Sequence, residues 1–238
     1  MSINQIITDV WNEMDDETRR QELSHWRGVG KYADDKKWLS IGNRSVKRLG
    51  ALRRFAKQRG PLSDQRPVML EWGQGGGANA FAFKEVAEAY YGVDIAEKNL
   101  GEATRVLTEA GKPDLFRPVL LTGEPSEIVG QIEPVDIILS TAVFQHFPTK
   151  GYGYEVLKAM RAVCKDGALG LIQIRYDNGD SDFRANVSVE QYKDRFIKAT
   201  SYQLDEFWSL CEDAGFTPQY LTEIAPKSHY ATFALIAG

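Results

Sequence analysis

The 238-residue sequence contains only two cysteines and three histidines. Cys164 and Cys211 are too few and too far apart for a disulfide framework or a zinc site. Both sit in apolar-periodic stretches, which suits buried free thiols. His25, His146 and His229 form no convincing cluster with carboxylates, so no metal is expected. Long hydrophobic runs are missing too. No stretch of about 18 apolar residues appears, and no basic head followed by an apolar core stands near Met1. A helical membrane span is therefore not expected, and the cytoplasm is the default location. The formal net charge is only −4, so the overall balance demands neither nucleic acid nor an anionic membrane surface. There is no internal repeat and no low-complexity linker.

What remains is an ordinary globular composition, of a length that suits one large α/β domain with an appendage better than two independent domains. Residues 1–66 read as a helical cap or appendage. Ile3, Ile6, Ile7, Val10, Trp11 and Met14 recur at helical spacing, and Val46, Leu49, Leu52, Phe55 and Ala56 do so again. An aromatic-rich connection with Trp26, Tyr32 and Trp38 runs between them, and Gly60-Pro61 stops the second helix. Residues 44–66 hold eight basic side chains against one acid, Asp64.

From Val68 onward strands and helices alternate. Short apolar runs at 68–71, 90–93, 118–121, 135–140 and 168–174 look like buried strands, separated by helical patterns at 78–88, 96–110 and 154–163. A polar stretch at 176–200 is too long for a plain connection and suits a lid. A helix near 204–214 follows, then strands near 217–222 and 231–237. The short loop between these last two favours an antiparallel pair. Residues 67–238 are thus expected to form a doubly wound, Rossmann-like α/β domain. Its sheet would have seven strands, mostly parallel, with the last strand antiparallel.

The segment Val68-Met-Leu-Glu-Trp-Gly-Gln-Gly-Gly-Gly-Ala-Asn79 is the most informative. A strand ends at Glu71, and Gly73, Gly75, Gly76 and Gly77 lead into a helix. Glycine permits positive φ and lets a ligand approach the main chain without meeting a Cβ. The helix behind the loop offers unpaired N–H groups. By itself the loop also satisfies a dinucleotide fingerprint, with Asp94 at a suitable distance to hold a ribose. Glu71 could instead simply cap the adjacent helix or pair with a lysine.

Glu71-x-Gly73-x-Gly75-x-Gly77 resembles the first motif of class I S-adenosylmethionine-dependent methyltransferases. Tyr91-Gly-Val-Asp94-Ile95 is similar to their second motif. A seven-stranded sheet with its last strand reversed fits the same family rather than a nicotinamide dehydrogenase. The resemblance covers residues 68–174 well and the terminal strands as a pattern. It implies S-adenosyl-L-methionine as cofactor and S-adenosyl-L-homocysteine as product. Glu71 would orient the loop and reach the methionine ammonium. Asp94 would hold the ribose hydroxyls, and Ile95 would pack on adenine. Glu124, beside Pro125, would receive the adenine amino group. Ser140 would lie against the methionine portion. Asp166-Gly167 stands where relatives commonly show a proline-glycine pair.

Methyl transfer from a sulfonium needs alignment, exclusion of water and, for some acceptors, removal of a proton. Thr141-Ala-Val-Phe-Gln145-His146-Phe-Pro148 follows the fourth strand at the ligand edge of such sheets. His146 could act as the base, or could merely order this loop. Trp26, Tyr32, Trp38, Gln145 and Tyr176 are candidates to touch the acceptor, although core packing serves the N-terminal aromatics equally well. The expected acceptor is a small molecule, methylated on oxygen or nitrogen. The alternatives are RNA or a peptide, or a nicotinamide-dependent oxidoreductase. Nucleic acid is disfavoured, because no Asn/Asp-Pro-Pro-aromatic motif and no Pro-Cys pair follow the fourth strand. The appendage could serve as a homodimer contact.

Overall fold

The computed structural model describes residues 3–12, 14, 16–60, 62–180 and 188–238. Aspartates start two of its N-terminal helices. Helix α1 spans Ile3–Asn12. Helix α2 (Glu17–Leu23) follows Asp16, whose carboxylate accepts the Arg19 N–H. Helix α3 (Asp35–Lys57) follows Asp34, which accepts the Lys36 N–H. Each cap satisfies one of the donors that a helix start leaves without a partner. Arg54 and Lys57 in the last turn of α3 complement its dipole. The capping signals at Asp34 and Asp35 outweigh the polar run behind them, so α3 begins at Asp35, well before the apolar repeat that starts at Val46. Trp38 consequently lies inside α3, not in the connection that precedes it.

The alternating part comprises β1 (Val68–Trp72), α4 (Ala78–Phe83), β2 (Ala89–Asp94), α5 (Glu97–Glu109), β3 (Phe116–Leu120) and β4 (Val135–Ser140). It continues with α6 (Lys150–Ala162), β5 (Cys164–Arg175), α7 (Tyr192–Arg195), α8 (Leu204–Asp213), β6 (Phe216–Ala225) and β7 (Tyr230–Ala237). The seven strands form one sheet in the order β3-β2-β1-β4-β5-β7-β6. Pairs β1–β2, β2–β3 and β4–β5 are parallel, whereas β7 runs antiparallel to both β5 and β6. This is the expected doubly wound α/β sheet with its last strand reversed, preceded by helices.

The chain divides into two compact units, Trp11–Leu120 and Met1–Val10 with Leu121–Gly238. In the first, α3 and α4 approach closely at Gly42, where a Cβ would run into the Ala78 carbonyl and the Ala82 methyl. That contact explains a glycine in mid-helix, where it ordinarily costs about 1 kcal/mol relative to alanine. Helix α4 stops at Phe83, short of residue 88, because the chain must turn there to bring Ala89 beside Val68.

In the second unit, α6 begins at Lys150, earlier than residue 154. Thr149 caps it by accepting the Tyr152 N–H, and Gly153 leaves room for the Tyr202 hydroxyl. The Asp166-Gly167 segment lies within β5 as a bulge, since Val135 pairs with Cys164 and Ile137 with Leu169. Phe144, Tyr202, Phe207 and Phe233 form a buried edge-to-face aromatic cluster here.

Candidate functional site

In the unit formed by residues 11–120, the loop after β1 is built on three left-handed glycines. Gly73, Gly75 and Gly77 have φ of +69°, +56° and +80°, a region that side chains with a Cβ rarely occupy. The Gly73 N–H donates to the Val93 carbonyl at 2.8 Å and anchors the loop to β2. At two positions the open space is filled by the protein itself. A Cβ on Gly75 would lie 2.5 Å from the Ser24 carbonyl oxygen, and one on Gly76 would lie 2.8 Å from that of His25. The Gly76 N–H also donates to Ser24 O at 2.7 Å. The close approach expected of a ligand is made here by residues 24–26.

Glu71, at the core end of this loop, is 2% exposed. It accepts from the Asn79 amide at 2.5 Å and from the Tyr90 hydroxyl at 2.7 Å. Burial pushes its carboxyl up to about 8, against the pull of these two donors; the nearby Asp94 adds to the rise. The contact with Asn79 ties β1 to the first turn of α4, and no lysine pairs with Glu71 among the described residues. The Asn79 Oδ1 and both polar atoms of the Gln74 amide are buried without a hydrogen-bond partner among the described residues. The motif therefore holds unused hydrogen-bonding capacity beside a carboxyl group.

Asp94, 8% exposed, ends β2. One oxygen accepts the Gly75 N–H at 3.0 Å and the other accepts the Ala96 N–H at 2.9 Å. Asn99 of α5 donates to both oxygens, at 3.3 and 3.4 Å. Burial raises the Asp94 pKa, while the backbone and Asn99 donors oppose that rise. Ile95 is partly buried next to it, and its carbonyl accepts from Asn12 at 3.4 Å.

The N-terminal aromatics sit in the same unit. The Trp26 indole N–H donates to the Asn99 Oδ1 at 2.9 Å. Tyr32 is buried edge-on to His25. Trp38 is fully buried, packs edge-on to Phe81, and donates to the His25 carbonyl at 2.8 Å. With no exposed surface, Trp38 is a core residue and cannot wall an acceptor in this conformation.

In the other unit, Glu124 is exposed and precedes a 3₁₀ turn at Pro125–Ile128, of which Pro125 is buried. Ser140 is buried at the end of β4. His146 lies in a 3₁₀ turn at Phe144–His146 and is tied down at both ring nitrogens. Its Nδ1–H donates to the Phe196 carbonyl at 3.0 Å, because a carbonyl can only accept. Its Nε2 faces the Gln145 amide nitrogen at 3.1 Å and takes the acceptor role. Burial lowers its pKa to about 4, helped by the Arg175 charge and opposed by the Phe196 and Ala142 carbonyls. The Gln145 amide also donates to Ala142 O at 2.8 Å and reaches the Tyr230 hydroxyl at 3.3 Å.

Tyr176 follows β5, stacks on His229 and donates its N–H to the His229 carbonyl. Of the segment expected as a lid, residues 181–187 lie outside the described residues. Residues 192–200 are fastened to the loop after β4. The Tyr192 hydroxyl donates to His146 O and the Thr200 hydroxyl to Phe147 O, both at 2.6 Å, and the Thr200 N–H donates to Gln145 O at 3.0 Å.

Asn99, Arg20, Gln74, Asn79 and Tyr90 were not singled out from the sequence. Arg20 stands in α2 among charged residues, yet it is 1% exposed. Asn99 carried a usable signal, five residues beyond Asp94 and on the first turn of the following helix. Among the described residues no group of histidines, cysteines and carboxylates could hold a metal, and no helix is long and apolar enough to cross a membrane.

S-adenosylmethionine fits this chemistry. A carboxyl group with orphaned amide atoms beside it suits an amino-acid ammonium and carboxylate. A buried aspartate held in place at a strand end is an acceptor of the kind a diol needs. Comparison with known proteins points the same way. Residues 70–172 match the model of the methyltransferase domain family. No curated protein matches the chain in sequence.

Among solved structures, the chain is similar to magnesium protoporphyrin IX methyltransferase from Synechocystis with bound S-adenosylmethionine. Identity is 15% and the TM-score 0.65, covering 100% of this chain and 98% of that one. An S-adenosylmethionine-dependent methyltransferase from Clostridium acetobutylicum gives 12% identity and a TM-score of 0.59, over 86% of this chain and 92% of that one. The CcbJ methyltransferase of Streptomyces caelestis gives 13% and 0.58, over 73% and 84%. These likenesses share the fold, and the family match separates the two readings left open by the glycine loop. Together, the methyltransferase-domain match over residues 70–172 and the shared fold support a class I S-adenosylmethionine-dependent methyltransferase.

Proposed function

We propose that the enzyme methylates an oxygen or nitrogen atom of a small molecule. The observation that carries this reading is the fastening of residues 192–200 over the loop after β4 by Tyr192 and Thr200. A loop roofed by the protein's own chain suits a compact acceptor better than an extended RNA or peptide. One structural neighbour is named for an acceptor of that kind, magnesium protoporphyrin IX.

In this reading Asp94 would accept the ribose hydroxyls, Ile95 would pack on the adenine, and Glu124, beside Pro125, would receive its amino group. The loop at Gly73, Gly75 and Gly77, with Glu71, would hold the methionine portion and its ammonium, and Ser140 is assigned to the same portion. When bound, the cofactor supplies a methyl group on a sulfonium. The chain's own work is to align the acceptor, exclude water and let a proton leave. Trp26, Tyr32, Gln145 and Tyr176 are assigned to that side.

His146 is assigned a positioning role. With a pKa near 4 and its Nε2 lone pair engaged by Gln145, it is a weak base that holds the loop in place. We place the protein in the cytoplasm, with the N-terminal helices offering a homodimer contact.

The test is acceptor-dependent release of S-adenosylhomocysteine. The enzyme is incubated with S-adenosylmethionine and, in parallel, with hydroxylated and amine-bearing small molecules, with structured RNA and with peptides. Turnover with a small molecule supports the reading. Turnover with RNA or peptide alone overturns it.

A further inference from the structure

A chain of hydrogen bonds runs from the N-terminal helix to the carboxylate assigned to the ribose. Arg20 of α2 is 1% exposed. Glu17 holds it through two bonds, at 2.6 and 3.1 Å, and is itself kept at about 2 by that contact. The remaining Arg20 Nη1 reaches the Asn99 Oδ1 at 3.4 Å, and the guanidinium lies 5.1 Å from the centre of the Trp26 ring. Trp26 donates its indole N–H to the same Asn99 oxygen at 2.9 Å, and Asn99 turns its amide nitrogen to both oxygens of Asp94.

Every member of this chain has an assigned direction. The indole and the guanidinium can only donate, so the Asn99 oxygen must face them. The Asp94 carboxylate can only accept, so the Asn99 NH₂ must face it. Turning the Asn99 amide over would set oxygen against carboxylate and nitrogen against two donors.

From this geometry we infer that Asn99 is a positioning residue for Asp94, and that Trp26 and Arg20 fix its orientation. The N-terminal segment thereby tunes affinity for the cofactor ribose. The inference rests on the assignment of Asp94 to the ribose. It goes further by making residues 20–26 part of the machinery that reads a diol, although none of them needs to touch it. The same segment crosses the glycine loop at Gly75 and Gly76, so loop and carboxylate are held from one side by one piece of chain. Asp94 takes a Gly75 N–H on one oxygen and an Ala96 N–H on the other. Asn99 bridges both oxygens, and its loss leaves the carboxylate held by the two backbone N–H groups alone.

The experiment compares two ligands, S-adenosylhomocysteine and its 2′,3′-dideoxy analogue, by calorimetry on the whole protein. Wild type should bind the first much more tightly, and equal affinity would refute the ribose assignment itself. Given that preference, Asn99→Leu should weaken S-adenosylhomocysteine about 10-fold, the usual effect of losing a hydrogen bond to a charged group, and the dideoxy analogue by less than about 2-fold. Trp26→Phe leaves a smaller aromatic ring beside Arg20 but removes the N–H. It should weaken S-adenosylhomocysteine about 3-fold in the same selective way. If Asn99→Leu fails to fold, Trp26→Phe decides. Equal losses for the two ligands, or unchanged S-adenosylhomocysteine affinity in a folded variant, would overturn the inference.

Discussion

Glu71→Gln separates the charge of the buried acid from its shape. In the wild type the carboxyl is raised from 4.5 to about 8, chiefly by burial. A group whose pKa is higher folded than unfolded contributes stability that is complete below the unfolded value. That contribution is lost as pH rises through the folded value. The window therefore runs from about pH 4.5 to pH 8, and across it stability should fall with pH by at most about 5 kcal/mol, at 1.36 kcal/mol per pH unit.

Glutamine has nearly the same volume and no charge. Its oxygen can accept from Tyr90, and its NH₂ can meet the Asn79 Oδ1, which has no hydrogen-bond partner among the described residues, once that amide turns over. Urea unfolding of both proteins from pH 5 to pH 9 checks the argument. The two should differ little at pH 5, and Glu71→Gln should be the more stable by pH 8 to 9. Parallel curves would mean that Glu71 stays ionised in the fold and that burial does not govern it.

The same residue should report on the ligand. A cationic ammonium placed near Glu71 favours its ionised form, so binding of S-adenosylhomocysteine at pH 7 should release close to one proton. Calorimetry in buffers of different ionisation heat measures this, and zero release would remove Glu71 from the ammonium. His146, lowered to about 4, contributes stability present above about pH 6.5 and lost as pH falls through 4. His146→Gln should flatten that acid limb in urea unfolding, and the wild-type rate should show no histidine limb between pH 6 and 8. Gly76→Ala sets a Cβ 2.8 Å from His25 O and 2.9 Å from Trp26 Cα. It should cost about 1–3 kcal/mol by overpacking and speed hydrogen exchange in residues 20–26. Burial raises both thiols, that of Cys164 to about 12, so neither should react quickly with iodoacetamide at pH 8 until urea is added.

The sheet was legible because its signals are local and repeated. Buried apolar runs, a glycine turn after the first strand and a short final connection are each visible in a handful of residues. Element ends were less so. The start of α6 was hidden by Gly151 and Gly153, which read as a turn until the Tyr202 hydroxyl is seen to need the space at Gly153. At the site, Glu71 and Asp94 stood out because a carboxylate at a strand end next to glycines is rare. The partners that hold them did not. Trp26 and Asn99 are 73 positions apart, and nothing in the spacing of either residue announces the other. Trp38 shows the converse: an aromatic beside polar residues looks like a binding wall, but helical phase turns it into the core. The fall in the His146 pKa comes from burial by residues far along the chain, which a motif cannot show.

The most direct test of the account is titration of the wild-type protein and of Asp94→Asn with S-adenosylhomocysteine, with NAD as the control. Asparagine keeps the size of the side chain but removes one of the acceptors needed for the ribose hydroxyls and for the Gly75 and Ala96 N–H groups. Wild type should bind S-adenosylhomocysteine and ignore NAD, and Asp94→Asn, still folded by circular dichroism, should bind at least about 10-fold more weakly. Tight NAD binding by the wild type, or undiminished S-adenosylhomocysteine affinity in the folded variant, would contradict it.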